Sequence, residues 1–133
     1  MPAPLVVLDR VLSLERGKRG SAIRNVPNSL IIFDTHFPRF PVLPGVLILG
    51  SMGLLAAKVL DEGDGWWRLA QAERVRFRHF VQPGDQLALS IEVKDATAST
   101  ATCTATASVD GKPVTTVGRL RMARAEHAEG GAR

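Results

Sequence analysis

The stretch that decides the fold of this chain runs from residue 35 to residue 60 and reads THFPRFPVLPGVLILGSMGLLAAKVL. Its second half predicts a helix that begins at Pro44, because the missing N–H of proline costs nothing in a first helical turn, and that ends near Leu60. Large apolar residues surround this helix on nearly every side: Val46, Leu47, Leu49, Met52, Leu54, Leu55 and Val59. A helix with that pattern is predicted to be buried in a protein core.

The same segment approaches the length of a membrane span, since residues 41–57 carry no charge. It contains two prolines and three glycines, however, and Lys58 closes it. We therefore favour a buried core helix, and no contact with a membrane is expected.

The sequence on both sides of the helix is typical of β-strands. In residues 86–94, apolar and polar side chains alternate as they do in a half-buried strand. The predicted strands are 5–14, 21–26, 66–72, 74–81, 86–94, 98–109 and 113–122. One buried helix with antiparallel strands predicts an α+β fold in which the sheet wraps around the helix. The exposed edges and small core of such a sheet favour dimerisation.

Length and composition indicate one domain in a reducing compartment. The 133 residues form one predicted domain over 1–122, and the polar tail 123–133 is predicted to be disordered. A net charge of +4 is too small to imply a nucleic-acid partner. The single cysteine, Cys103, excludes an internal disulfide, and the N-terminus lacks the basic region of a secretory signal. A cytoplasmic location is therefore expected.

Four stretches of the chain together resemble the β-hydroxyacyl-acyl-carrier-protein dehydratase family. Residues 36–46, HFPRFPVLPGV, resemble the family's His-Phe-Pro loop, which leads through Pro-x-x-Pro-Gly-Val into a buried helix. Residues 76–87 resemble its "RFRRPV-PGD-L" strand and turn. Residues 8–18 resemble its opening strand and turn, and residues 109–112 its last hairpin. The matches run in order from about Leu5 to Met122.

This resemblance implies a hot-dog fold, in which two protomers join their sheets and build active sites at their interface. It also implies removal of water from a 3-hydroxyacyl thioester carried on the phosphopantetheine of acyl carrier protein, with no cofactor and no metal. The family's histidine, here His36, is the base on the α-carbon, and a helix glutamate of the other protomer acts on the leaving β-hydroxyl. A backbone N–H at the helix start, here that of Gly45, holds the thioester carbonyl. Substrate contacts are expected from Phe37, Pro38, Val46 and Leu54.

The chemistry of His36 and Gly45 suits this reaction. An α-proton beside a thioester is acidic only if the developing enolate is stabilised, and a helix that begins at Gly45 offers free N–H groups and the positive end of its dipole. An imidazole such as that of His36 titrates near neutrality, which suits a general base.

Position 50 departs from the family pattern. The family's glutamate aligns with Gly50, and the glutamine one turn later aligns with Leu54. Ser51 points about 100° away around the helix and is a poor acid, and nothing places Asp34 over the β-hydroxyl. Gly50 and Gly53 are explained either by close helix packing or by relaxed selection for the acid. If only the acid is missing, the substitution Gly50→Glu is expected to raise the activity of a homodimer.

Three functional hypotheses remain open, in this order. A heterodimer would unite His36 with a carboxylate of a second hot-dog subunit. A homodimer would run a slower or altered reaction with another proton donor, and a non-enzymatic protein would bind acyl carriers or acyl chains. A hot-dog thioesterase is less favoured, because the helix offers no carboxylate to activate water.

The remaining polar and aromatic residues are given simpler interpretations. His79 is predicted to be structural or on the surface, and His127 to be inert in the tail. Cys103 is predicted to be a small core residue, while Trp66 and Trp67 are predicted to pack or to line an acyl tunnel. A basic rim for the acidic carrier protein, or else a solvated strand face, is predicted from Arg39, Arg74, Arg76 and Arg78.

Overall fold

The computed structural model describes residues 6–27, 42–61 and 66–125, and it shows one helix packed on one antiparallel sheet. The elements in chain order are β1 (Arg10–Glu15), β2 (Arg19–Asn25), α1 (Gly45–Leu60), β3 (Trp66–Phe77), β4 (Gln86–Ala96), β5 (Thr100–Val109) and β6 (Lys112–Ala125). The six strands lie in the order β1-β2-β4-β5-β6-β3, and every neighbouring pair is antiparallel. The predicted α+β hot-dog architecture is confirmed.

Buried and exposed side chains alternate along the strands, and the buried ones form the core between the sheet and α1. In β4, Leu87, Leu89 and Ile91 are buried while their sequence neighbours are exposed. In β5 the small residues Ala101, Cys103, Ala105 and Ala107 are the buried ones. Side chains at every second position point to the same face of a sheet, so these rows meet the helix.

Helix α1 is buried against the sheet, as predicted, but one of its faces is exposed in the single chain. Half of its residues are buried, but Val46 is 70% exposed and Leu54 is 39% exposed. These two residues lie two turns apart on the same helix face, with Gly50 between them. A sheet packs against only one side of a helix, so the opposite side needs a different cover. The described part of the chain holds no helix long and apolar enough to cross a membrane.

The segment predicted as two strands, 66–72 and 74–81, forms the single strand β3. Strand β3 stays paired with β6 along its length despite two irregularities. The register shifts between Leu69 and Gln71, and Arg74 has a left-handed φ of 57°. Gly118 makes room for this conformation, because a Cβ at residue 118 would lie 2.9 Å from Arg74 Cβ. The strand ends at Phe77, since the following residues turn away and Val81 O accepts a hydrogen bond from Leu43 N.

The predicted boundaries need four further corrections. The first strand begins at Arg10 and not at residue 5, the second begins at Arg19, and Pro44 is the N-cap of α1 with an extended conformation. The last strand continues to Ala125, which pairs with Trp66, so the sheet extends past the predicted domain end at residue 122. Residues 28–41 and 126–133 lie outside the described residues, and so do the predictions made for them.

Candidate active site

The start of α1 has no side-chain cap among the residues that the structure describes, and its first turn contains no acidic residue. Phe77 packs directly on Gly45: a Cβ at residue 45 would lie 2.5 Å from Phe77 Cζ. Only glycine therefore fits at this position without moving the ring. The uncapped helix start carries free N–H groups and a partial positive charge, which together favour a developing negative charge nearby.

An apolar cavity of about 270 Å³ lies beside this helix start, and it has few polar groups. The residues that line it are Val42, Leu43, Pro44, Gly45, Ile48, Phe77, His79, Phe80 and Val81. His79 is the only titratable side chain of this set. The sequence interpretation placed it on the surface, and it is indeed exposed, but it lies at the cavity. The sequence does contain a signal that residues 78–81 leave the strand, because the turn residues Pro83 and Gly84 follow closely.

The predicted histidine loop lies outside the residues that the structure describes. His36, Phe37, Pro38 and Arg39 all lie outside the described residues, so their roles stay predictions. The structure does place Gly45 and Val46 at the start of α1, with Val46 largely exposed. Leu54 lies two turns later on the same face, beside a second cavity of about 260 Å³ that Trp66 and Trp67 also line.

At Gly50 the helix is in close contact with the N-terminal segment. A Cβ at residue 50 would lie 2.9 Å from Val6 Cγ2 and 3.0 Å from Val6 Cγ1. The place of the first side-chain atom is therefore already filled. The hypothesis of close helix packing is supported here, and the same holds for Gly53, where a Cβ would lie 3.1 Å from Leu69 Cβ.

A buried arginine joins this region, and the sequence interpretation missed it. Arg24 is 0% exposed, and its Nη1 donates a hydrogen bond to Ser51 Oγ over 3.1 Å. Ser51 Oγ in turn donates to the carbonyl oxygen of Val7 over 2.9 Å. Burial lowers the pKa of Arg24, although the charge of Asp9 opposes this effect. Among the residues described, Arg24 Nε and Nη2 have no hydrogen-bond partner.

Three of the four predicted docking arginines line one groove on the outer face of the sheet. Arg74, Arg76 and Arg78 surround a space of about 560 Å³ whose opposite wall includes Thr104, Thr106 and Thr116. Within the described ranges none of these three arginines forms an ion pair, whereas Arg119 and Arg121 both pair with Glu73.

The described residues offer neither a reactive cysteine nor a cluster of metal ligands. Cys103 is buried, and burial raises the pKa of its thiol from 9.0 to about 11, so it is protonated at neutral pH. Within 6–27, 42–61 and 66–125, no group of three His, Cys, Asp or Glu side chains is arranged to hold a metal ion. His127 lies outside these ranges.

Comparison with known proteins agrees with this arrangement. A family model described as "ApeI-like: ApeI dehydratase" matches residues 14–115. The 3-hydroxyacyl-[acyl-carrier-protein] dehydratase FabZ of Geobacillus thermodenitrificans is 40% identical over 117 residues, which cover 84% of this chain and 79% of that protein. FabZ of Bacillus subtilis is 38% identical and the match covers 84% of this chain and 82% of that protein.

Two solved structures share the fold at low identity. One is the dehydratase heterocomplex ApeI:P from Xenorhabdus doucetiae, with a TM-score of 0.76, 17% identity and coverage of 97% of this chain and 89% of that chain. The other is smu.793 from Streptococcus mutans UA159 bound to acetyl CoA, with a TM-score of 0.70, 13% identity and 88% of each chain covered.

The fold and these relatives define the class of the protein, which is a dehydratase, or hydro-lyase, with the hot-dog fold. Within this class, the chain belongs to the ApeI-like dehydratase family. The resemblance seen in the sequence is confirmed.

Proposed function

We propose that this chain is the His36-bearing subunit of a heterodimeric 3-hydroxyacyl-[acyl-carrier-protein] dehydratase. The enzyme removes water from a β-hydroxyacyl thioester and releases the trans-2-enoyl thioester, in fatty-acid or polyketide biosynthesis. The FabZ relatives are named as dehydratases of 3-hydroxyacyl groups on acyl carrier protein. One solved structure with the same fold is a dehydratase heterocomplex. The observation that carries the proposal is Gly50: the helix position that would supply the acid to the other subunit's site has no side chain, and a Cβ there would lie 2.9 Å from Val6 Cγ2.

The proposed mechanism divides the work between two subunits. His36 takes the α-proton, and the electron pair moves to the thioester oxygen, where the N–H of Gly45 stabilises the enolate. When the pair returns, the Cα=Cβ bond forms and the Cβ–O bond breaks. A carboxylic acid of the partner gives its proton to the leaving hydroxide, which departs as water. Gly50 has no side chain with which to do this.

The exposed apolar surface supports the presence of a second subunit. Strand β3 lies at the end of the sheet, and large apolar side chains are exposed on and near it: Trp66, Phe77 and Phe80 of this region and Val46 and Leu54 of α1. Several large exposed apolar side chains on one edge strand and one helix of a small domain indicate an interaction surface. We propose that a second hot-dog subunit covers it and extends the sheet from β3.

The test is an assay of the purified chain on a 3-hydroxyacyl carrier-protein thioester, alone and mixed with a hot-dog protein encoded beside it. We expect enoyl-thioester formation only in the mixture, at a ratio of one subunit to one by native mass. The matched control is a partner whose helix carboxylate is replaced by its amide, which should bind equally but give no product. Full activity of the chain alone would contradict the heterodimer.

One observation favours a second candidate, a self-sufficient homodimer. His79 lines the cavity that contains Gly45, and histidine is a common proton donor in catalysis. The β-oxygen of a bound substrate is only a few bonds from the thioester carbon, so a donor in the same cavity is well placed. Activity of the chain alone that is lost in His79→Gln would support this candidate over the heterodimer.

The arginine groove supports recognition of the acidic carrier protein. Arg74, Arg76 and Arg78 present three guanidinium groups that form no ion pair with any described residue, and they lie next to the segment that lines the cavity. Such a surface attracts an acidic partner through long-range electrostatics, which salt weakens.

Charge reversal in this groove is expected to weaken carrier docking selectively. The substitutions Arg76→Glu and Arg78→Glu should together raise KM for the carrier-linked substrate about tenfold, a change that corresponds to about 1.4 kcal/mol, while kcat changes little. KM for the same acyl group on free pantetheine should stay unchanged. Lys94→Glu is the control, because Lys94 pairs with Glu92 on β4 outside this groove. An equal rise in KM for both substrates would place the arginines in substrate binding instead.

A further inference from the structure

The N-terminal segment, residues 6–9, crosses α1 and is attached to the protein at several points. Val7 O accepts the hydrogen bond from Ser51 of the helix. Asp9 N donates to Ile23 O over 2.8 Å, and Asp9 Oδ2 accepts from Asn25 N over 2.6 Å. The segment is therefore tied to α1 at one end and to β2 at the other, which determines where Val6 lies.

The attachment to the helix is strengthened by a buried chain of polar groups. Arg24 Nη1 donates to Ser51 Oγ, and both side chains are 0% exposed. A hydroxyl has one hydrogen, and because the guanidinium supplies the proton on the Arg24 side, the hydrogen of Ser51 is directed to Val7 O. A buried polar chain is costly to break, because each separated group loses its partner away from water.

This anchored segment positions Val6 over Gly50. Val6 Cγ2 and Cγ1 lie 2.9 and 3.0 Å from the position of a Cβ at residue 50, while Val6 Cβ lies at 3.6 Å, an ordinary contact distance. A side chain at residue 50 can therefore be accommodated only if these two methyl groups move, and Val6 is itself 39% exposed. Glycine is unfavourable inside a helix, so its presence here agrees with a contact that no larger residue permits.

We propose that Val6 is a plug that determines which site of the dimer can act. This inference rests on the proposed function, in which each of two composite sites needs a histidine from one subunit and the residue at position 50 of the other. The chain of Arg24, Ser51 and Val7 holds the plug over position 50. The site that faces Gly50 is therefore closed as well as lacking its acid, and only the site that contains His36 operates.

The proposal changes the expectation for Gly50→Glu. The sequence predicts that this substitution alone raises activity. The packing of Val6 requires a different outcome: the new side chain must displace Val6, and a carboxylate becomes useful at position 50 only when the two methyl groups are also removed.

The first test measures packing and does not depend on catalysis. Gly50→Ala is expected to lower the melting temperature of the otherwise unchanged chain, because its methyl group meets Val6. In the Val6→Ala background, where the two methyl groups are gone, the same substitution is expected to raise the melting temperature, since alanine favours helix over glycine. Lys58→Ala, two turns away on α1, should have the same effect in both backgrounds. An equal effect of Gly50→Ala in both backgrounds would overturn the plug.

The second test measures the closed site with the partner subunit present. All variants carry His36→Ala, so the site that uses His36 is silent. Adding Gly50→Glu alone should leave product formation at the background level, whereas Gly50→Glu with Val6→Ala should raise it at least tenfold. Equal activity of these two variants above background would overturn the plug. If the unsubstituted mixture itself makes no product, the proposed function fails, and the melting comparison alone decides whether Val6 closes position 50.

Discussion

Replacing His36 by alanine is expected to lower kcat of the mixed complex by about 10²–10⁴-fold, the usual contribution of a positioned general base. The reason is that the described residues lining the cavity at the start of α1 offer only His79 as a replacement base. The measurement is steady-state enoyl-thioester formation on the carrier-linked substrate. The melting temperature and the subunit ratio should not change, because the sequence predicts His36 to lie in a loop outside the core.

The matched control for this prediction is His79→Gln in the same complex. If the partner supplies the acid, this variant should keep kcat within a few-fold of the unsubstituted complex. A loss in His79→Gln as large as that in His36→Ala would assign His79 the role of proton donor and favour the homodimer mechanism. Unchanged activity in His36→Ala would remove the base from the proposed mechanism.

The second large effect is expected at Arg24, where Arg24→Met should raise the free energy of unfolding by about 1–4 kcal/mol. Arg24 is 0% exposed, and its Nε and Nη2 have no hydrogen-bond partner among the described residues. A buried charge without full compensation is unfavourable, and replacing buried ionic groups by apolar side chains of similar volume is often neutral or stabilising by about 1–4 kcal/mol. Methionine keeps the volume and removes the charge, while Ser51 still bonds to Val7. Urea unfolding with a common m-value measures the difference.

Two controls separate the charge from the packing of Arg24. Arg24→Ala also removes the charge but leaves an empty space, so it should be less stable than Arg24→Met. Arg19→Met changes an exposed arginine of the same strand, whose side chain is 63% exposed, and should alter stability by at most about 0.5 kcal/mol. A loss of stability in Arg24→Met as large as that in Arg24→Ala would mean that the guanidinium charge stabilises the fold.

Arg24 is expected to lower the stability of the fold and at the same time to support the proposed function. Its guanidinium supports Ser51, which holds the segment that carries Val6, although its own burial is unfavourable. Buried polar groups of this kind are retained in some proteins because they specify one arrangement of the chain. Here the specified arrangement is the path of residues 6–9 across α1, which an apolar core would hold less uniquely.

The family and the overall fold were predictable from the sequence because their signals are local. Continuous apolar residues after Pro44 predicted a buried helix, and the alternation in residues 86–94 predicted a half-buried strand. Both patterns arise from the period of one element, 3.6 or 2 residues, so they are visible without knowledge of the partner element. The motif from His36 to Val46 identified the family in the same way, as one continuous stretch of sequence.

The continuous course of β3 was not predictable, because it depends on a contact between distant residues. The sequence predicted that one strand ends at residue 72 and that a new strand begins at Arg74. The structure instead accommodates its left-handed conformation because Gly118 of β6 lies opposite and has no Cβ to clash with it. Neither residue alone indicates this arrangement.

The sequence by itself determined that this protein is a hot-dog dehydratase whose position 50 carries no acid. Only the tertiary structure decided what occupies that position. The contacts that matter there join residues far apart in the chain: Ser51 and Val7 are 44 residues apart, and Arg24 and Ser51 are 27 apart. Periodicity reports which face of an element is apolar, but it does not report which distant residue covers that face. The packing of Val6 on Gly50 is a property of the folded chain alone.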